Sequence, residues 1–255
     1  MDLTNKIIKD LSIQVNLSGL SFCILNRSGD NKVEYINTIV FGEKLTPFET
    51  LNRLKEELAS NTIFSDDFEN IKIIHHNELS TLVPESSYDE SNNAEYLKFN
   101  SKILKTDFIA SDKIGLLDAV NVYVPYVNVN NYIFDTFGAF TYTHASTILI
   151  EAVSHHNQSE EKSAFINIEG NTMQVVVNSN SAFELYNYFE FTTPEDFIYY
   201  ILFTFEQLQL NPEKTHVKLS GTVTEDDDLF QIAYKYIRHV SLVRDHQQFI
   251  IKNSF

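Results

Sequence analysis

The chain has 255 residues, enough for two modest domains at roughly 150 residues each. Its 43% apolar and 21% charged residues exclude disordered, collagenous and low-complexity classes. Nineteen basic against 35 acidic side chains leave a net charge of −16, which repels phosphate backbones and anionic membrane surfaces, so neither nucleic acid nor membrane is an expected partner.

The single cysteine, Cys23, precludes an intramolecular disulfide and a thiolate metal cluster, and inside a strand it reads as a small buried thiol. The opening residues carry no secretory pattern. The longest apolar run, 197–205, falls short of the roughly 20 residues that cross a bilayer. The expected location is the cytoplasm.

Leu11, Ile13 and Val15 alternate with Ser12, Gln14 and Asn16, the period of a strand with one face on a core. Leu17-Ser18-Gly19 reads as a tight turn in which glycine supplies a positive backbone angle, and Leu20, Phe22 and Ile24 form the returning strand. After a turn at Arg27-Ser28-Gly29-Asp30, residues 33–41 supply a third strand. Thr46-Pro47 opens a helix, threonine capping and proline in the first position. Phe48, Leu51, Leu54 and Leu58 mark its sheet-facing side. Residues 70–76 read as the next strand. A polar insert at 84–95 reads as a solvated loop. Val122, Val124 and Val127 suggest a strand, and 130–137 and 145–153 helices.

The same order then recurs. Strands are expected at 163–168, 173–177 and 183–191, with turns at Glu169-Gly170-Asn171 and 178–181. Thr193-Pro194-Glu195-Asp196 opens a helix to Leu210, followed by a strand at 215–219, a helix from Asp226 through Ile237 and a closing strand at 240–243. Asn16 and Asn167 end the two first strands and keep nearly the spacing of Pro47 and Pro194. This points to an internal duplication, with halves 1–156 and 157–255 divided in the polar stretch 154–162. The apolar helix 197–210 needs cover on several sides, either between the halves or at an oligomer surface; a shared core favours the former.

This order resembles the actin-like ATPase superfamily, whose α/β fold is two ribonuclease-H-like halves, each a mixed sheet of three antiparallel strands followed by parallel strands, with packing helices. More narrowly, the run Leu-Ser-Ile-Gln-Val-Asn-Leu-Ser-Gly-Leu-Ser-Phe-Cys-Ile-Leu from Leu11 and the run Pro-Glu-Asp-Phe-Ile-Tyr-Tyr-Ile-Leu-Phe-Thr-Phe-Glu-Gln-Leu from Pro194 are similar to a Bacteroidetes family, domain of unknown function 3822, associated with that fold. The family implies no activity.

The superfamily resemblance implies an aspartate at the end of each first strand, holding hydrated magnesium on nucleotide phosphates, beside turn amides that cradle the phosphoryl groups. The matching positions here are Asn16 and Asn167. An amide brings no charge to a metal and cannot act as general base. The resemblance places candidate nucleotide-binding positions at Asn16, Ser18, Gly19, Asn167, Glu169, Gly170, Ser220 and Gly221, the last two in a thin counterpart of the turn that supports adenine. Each first turn offers one glycine, Glu169 would repel a phosphate, and hairpin geometry by itself accounts for Gly19 and Gly170. Ser220-Gly221 also fits an ordinary loop after a strand.

Other clusters carry less. His75-His76 would face opposite sides of a strand, and His155-His156 is no better placed for one ion. His144 near Ser146 lacks a nucleophile elbow and reads as a polar residue near a helix start. The Asp226 to Asp228 run lacks calcium-loop spacing and suits a helix N-terminus. No catalytic or metal residues are assigned, and no cofactor is expected. The leading expectation is a non-hydrolysing binding or scaffolding module with an unknown protein partner. The alternative is a divergent ATPase or small-molecule kinase using ATP and magnesium through acids such as Glu169 or Asp226; a further one is a structural homodimer joined through the apolar helix.

Overall fold

A computed structural model describes residues 8–28, 32–156, 162–179 and 182–255. The turns expected at 27–30 and 178–181 and the segment 154–162 lie partly outside these residues. The chain forms two compact units, one of residues up to Ile148 with Ile250–Phe255, the other of Leu149–Phe249.

The first unit begins with β1 (Lys9–Asn16), β2 (Gly19–Asn26) and β3 (Lys32–Val40), an antiparallel meander. Helix α1 (Pro47–Ser60) follows. Thr46 accepts the Glu49 amide, while the Glu49 carboxylate accepts the Thr46 amide, so two free donors of the first turn are satisfied at once. Those bonds hold the Glu49 carboxyl below its usual range. β4 (Asn70–His75) pairs parallel with β1, and β5 (Ser80–Pro84) leaves the main sheet.

Next come α2 (Asn93–Lys98), β6 (Ala110–Ile114), β7 (Ala119–Tyr123) and α3 (Val127–Phe137). β8 (Thr141–His144) pairs parallel with β4, and α4 (Ala145–His156) follows directly. The main sheet runs β3-β2-β1-β4-β8. Leu11, Ile13, Val15, Leu20, Phe22 and Ile24 put one face of the hairpin against Leu51, Leu54 and Leu58 of α1 and Val129 and Ile133 of α3. Leu54 is fully buried there, and its truncation to alanine would cost about 2–5 kcal/mol.

Three expectations need correction here. Phe48 is 70% exposed and takes no part in the core face of α1. Val127 opens α3 instead of extending a strand, since β7 already ends at Tyr123 and Pro125 interrupts the chain before it. The polar stretch 84–95 is not an open loop. It joins a small three-stranded sheet ordered β5-β7-β6, with Val83, Leu97, Val120 and Val122 as its own core. Tyr88 and Tyr96 stack at 6.1 Å, and the Tyr96 hydroxyl donates to the Ser87 carbonyl while accepting the Asp89 amide, so polar residues do the ordering.

The second unit runs β9 (Ser163–Glu169), β10 (Thr172–Ser179), β11 (Ala182–Glu190), α5 (Pro194–Gln207), β12 (His216–Gly221), α6 (Asp228–Tyr236) and β13 (His239–Leu242). Its sheet is ordered β11-β10-β9-β12-β13, with β9–β11 antiparallel and β12 and β13 added parallel. Thr193 and Asp196 repeat the reciprocal cap at α5. The buried side of α5, including Phe197, Ile201 and Phe205, belongs to the core of this unit together with Ile166, Val175 and Leu219. The buried side of the apolar helix is thus covered by its own sheet and by α6, while Tyr199 and Phe203 on its other side are exposed. A last short helix, α7 (Phe249–Lys252), leads into the C-terminal residues, where the Ser254 hydroxyl donates to Ser12 on β1 at 2.8 Å.

Candidate functional site

In the first unit, Asn16 pairs with Gly19 across the hairpin and leaves Leu17 and Ser18 as a two-residue loop. Neither loop residue has a positive φ, so this is not one of the primed turns common in hairpins. Side-chain and long-range bonds hold it instead. Asn16 Oδ1 accepts the Ser18 amide at 2.7 Å, and the Leu17 and Ser18 carbonyls accept the Leu45 and Phe41 amides. Gly19 has no positive φ either, which corrects the expected reason for a glycine there. A Cβ at Gly19 would stand 2.6 Å from the Ile39 carbonyl oxygen, so close approach of β3 is what demands it.

The other end of the Asn16 carboxamide, Nδ2, lies 3.4 Å from His76 Nδ1, as does the Gln14 amide nitrogen. Both amides can only donate to a ring nitrogen, so this one is the unprotonated acceptor. His76 reaches the place because its own backbone amide continues the parallel ladder to the Val15 carbonyl.

In the second unit β9 ends at Glu169, which pairs with Thr172 and leaves Gly170 and Asn171 as the loop, so Asn167 does not end its strand as expected but lies two residues inside it. Gly170 alone has a positive φ, +59°, as a turn of type II′ requires at its first central position. Asn167 is 1% exposed: its Oδ1 accepts the Ser220 hydroxyl at 2.9 Å, and its Nδ2 donates to Glu169 Oε1 at 3.2 Å. The Gly170 amide, the natural donor for a phosphate at this turn, donates to the Thr222 hydroxyl at 3.2 Å. Gly221 sits at φ +93°, where an added Cβ would lie 1.9 Å from the Ile168 carbonyl oxygen. Only glycine lets β12 close on β9 there.

The sequence-expected residues therefore gather as two sets, Asn16, Ser18 and Gly19 in one unit and Asn167, Glu169, Gly170, Ser220 and Gly221 in the other. His76, weighed in the sequence only as half of a histidine pair, and Thr222, next to Gly221, join them. The donor set fits a magnesium-bound triphosphate poorly. Magnesium is held through carboxylates and phosphates, whereas the first turn offers no carboxylate and the second offers Glu169, already engaged by Asn167. The amides that would cradle phosphate, Ser18 and Gly170, are spent on side chains of the same unit.

The remaining polar clusters are structural. His75, pushed down to about 4 by burial, has Nε2 3.0 Å from Asn130 Oδ1 and accepts the Tyr126 amide on Nδ1. His144 Nδ1 accepts the Ser146 amide and lies 2.7 Å from the Ser146 hydroxyl, so the imidazole caps the start of α4. Both residues are completely buried, which leaves no substrate access to a serine nucleophile. Asp112 braces the same corner, accepting from the Thr143 and Thr147 hydroxyls and the His144 amide. Cys23 is buried, and its thiol is pushed up to about 11 by desolvation. Among the described residues no group of three His, Cys, Asp or Glu side chains could hold a metal ion, and no helix is long and apolar enough to cross a membrane.

Three solved structures set this geometry in context. A Bacteroides thetaiotaomicron protein with actin-like ATPase fold and unknown function superimposes with a TM-score of 0.85 at 19% identity, over 99% of this chain and 97% of its own. A chain of the PilM-PilN type IV pilus biogenesis complex gives 0.59 at 12% identity, over 92% and 88%. The ethanolamine utilization protein EutJ from Carboxydothermus hydrogenoformans gives 0.54 at 7% identity, over 98% and 92%. At these identities the likeness is one of fold, and the fold is that of the actin-like ATPases. No curated protein matches the chain in sequence. The family described as "Protein of unknown function (DUF3822)" matches residues 1–240, and the chain belongs to it.

Proposed function

We propose that this protein is a non-hydrolysing binding or scaffolding module of the cytoplasm, built on an actin-like fold and working through a protein partner. The observation that carries this reading is the use made of Asn16 and Asn167. The resemblance matches each to a position where the superfamily needs a carboxylate, and each carboxamide is engaged by groups of its own unit. Neutral, internally satisfied amides supply neither charge for a metal nor a base for water. The PilM chain, of similar fold, is described as part of a complex with PilN, which agrees with a fold serving partner binding. Turnover of ATP with magnesium by the purified full chain tests the proposal. The expected result is no phosphate release above a protein-free control. Magnesium-dependent release that disappears in Asn16→Ala or Asn167→Ala would overturn it in favour of a divergent ATPase or kinase.

A further inference from the structure

The small sheet of the first unit carries an outward-facing loop at 99–108. Phe99 is 87% exposed, Leu104 69% and Phe108 54%, although the loop itself is ordered: the Asp107 carboxylate accepts the Leu104 amide, and the Ser101 amide donates to the Leu97 carbonyl. Large apolar side chains turned to water by an ordered backbone mark an interaction surface. The loop also carries two lysines against one aspartate within an acidic chain. Lys98 is held by Glu95, while Lys102 and Lys105 are exposed and pair with no carboxylate among the described residues.

The complement to this loop lies on the same unit. A cavity of about 500 Å³ opens among Phe64, Phe68, Tyr132 and Phe137, with Asp66 and Asp67 in its lining. That volume lies within the roughly 300–1,000 Å³ of pockets that enclose ligands. Phe68 and Phe137 meet edge to face at 6.4 Å. Asp66 is paired with Lys9 at 2.8 Å, and Asp67 is exposed and pairs with no cation among the described residues. Lys55 stands over the Tyr132 ring, so the side that accepts a cation is the Asp66–Asp67 side.

We propose that the cavity receives the 99–108 loop of a second copy of this chain, Phe99, Leu104 and Phe108 against the aromatic walls and Lys102 and Lys105 toward the Asp67 side of the rim. Exposed apolar side chains meet a cavity with aromatic rings in its wall, and two lysines without carboxylate partners among the described residues meet an aspartate without a cation there, so the two surfaces are complementary. The two surfaces differ, which makes the contact heterologous, open to chain growth or ring closure. It gives the scaffolding reading a first partner but does not depend on it, since self-association and ATP turnover are measured separately.

Sedimentation velocity of the full chain over a wide concentration range tests the contact. Wild type is expected to associate as concentration rises. Lys102→Glu/Lys105→Glu and, separately, Asp67→Lys change exposed side chains only, and each is expected to sediment as monomer with an unchanged melting temperature. Mixed together, the two variants should associate again, because the intact loop of one meets the intact cavity of the other and the two reversed surfaces also pair opposite charges. A wild type that stays monomeric at the highest concentration, association indifferent to both variants, or a mixture that remains monomeric would each overturn the proposal.

Discussion

Asn16 and Asn167 lie on corresponding strands of two sheets of the same strand order, Asn16 as the last residue of β1 and Asn167 two residues before the end of β9, and they are held by different partners. Asn16 closes its own loop by accepting the Ser18 amide and turns its nitrogen to His76. Asn167 ignores its loop backbone, takes a hydroxyl from Ser220 and gives a hydrogen bond to Glu169. The difference lies in what each parallel neighbour brings alongside: β4 runs on into His76, while β12 ends in Ser220-Gly221. The first turn would accept an aspartate without losing its loop bond, whereas in the second an aspartate would face the Glu169 carboxylate. The asparagine at 167 thus has a folding reason of its own, separate from any loss of catalysis.

The comparison can be broken hardest at the glycines. Gly221→Ala should cost about 3–5 kcal/mol, from overpacking against the Ile168 carbonyl added to the positive φ. Gly19→Ala should cost only about 1–3 kcal/mol, because its backbone angle is ordinary and the Ile39 carbonyl is farther off. Denaturant unfolding of the two variants checks the order, and equal losses would contradict the geometry described.

Acid should separate the units next. His75 is buried neutral and pushed down to about 4, and His144 lies well below its usual range for the same cause, with His76 and His75 nearby. Above about pH 6.5 the ring is neutral folded or unfolded and contributes nothing. Between there and about 4 only the unfolded chain takes the proton, so stability falls on acidification, by about 3 kcal/mol for His75 alone. The second unit has no fully buried histidine among its described residues. Hydrogen exchange at pH 5 should therefore show β4 and α3 opening before β9 and β10.

A smaller effect comes from charge. Asn167→Asp should destabilise the second unit by about 2–3 kcal/mol, since it buries a carboxylate against Glu169, while Asn16→Asp should cost less than about 1 kcal/mol. Thermal melts compare them directly, and the Asn167→Asp penalty should shrink at acid pH as one carboxyl takes a proton.

Much of the fold was legible because local physics writes it locally. Alternating Leu11, Ile13 and Val15 mark a strand wherever it pairs, and Thr-Pro followed by an acid three residues after the threonine marks a capped helix start at Thr46 and Thr193. The small sheet escaped because its strands β5 and β6 are short and polar and its core cluster holds four buried side chains among the described residues. The strand ends could be read from the same alternation, but their hydrogen-bond partners could not. His76 reaches Asn16 and Ser220 reaches Asn167 through parallel pairing across more than fifty residues, which no local pattern reports. Gly19 was read as a turn residue because the requirement comes from β3, a neighbour that a short window does not see.

The account's central claim is that these carboxamides are hairpin and sheet anchors, not metal ligands. Side-chain amide NMR signals of Asn16 and Asn167, followed while manganese and a nonhydrolysable ATP analogue are added to the full chain, test it most directly. The account predicts that both NH₂ pairs keep their intensity at manganese levels that leave exposed asparagines equally sharp. Selective broadening of either pair, reversed by excess magnesium, would place a cation beside the amide and contradict it.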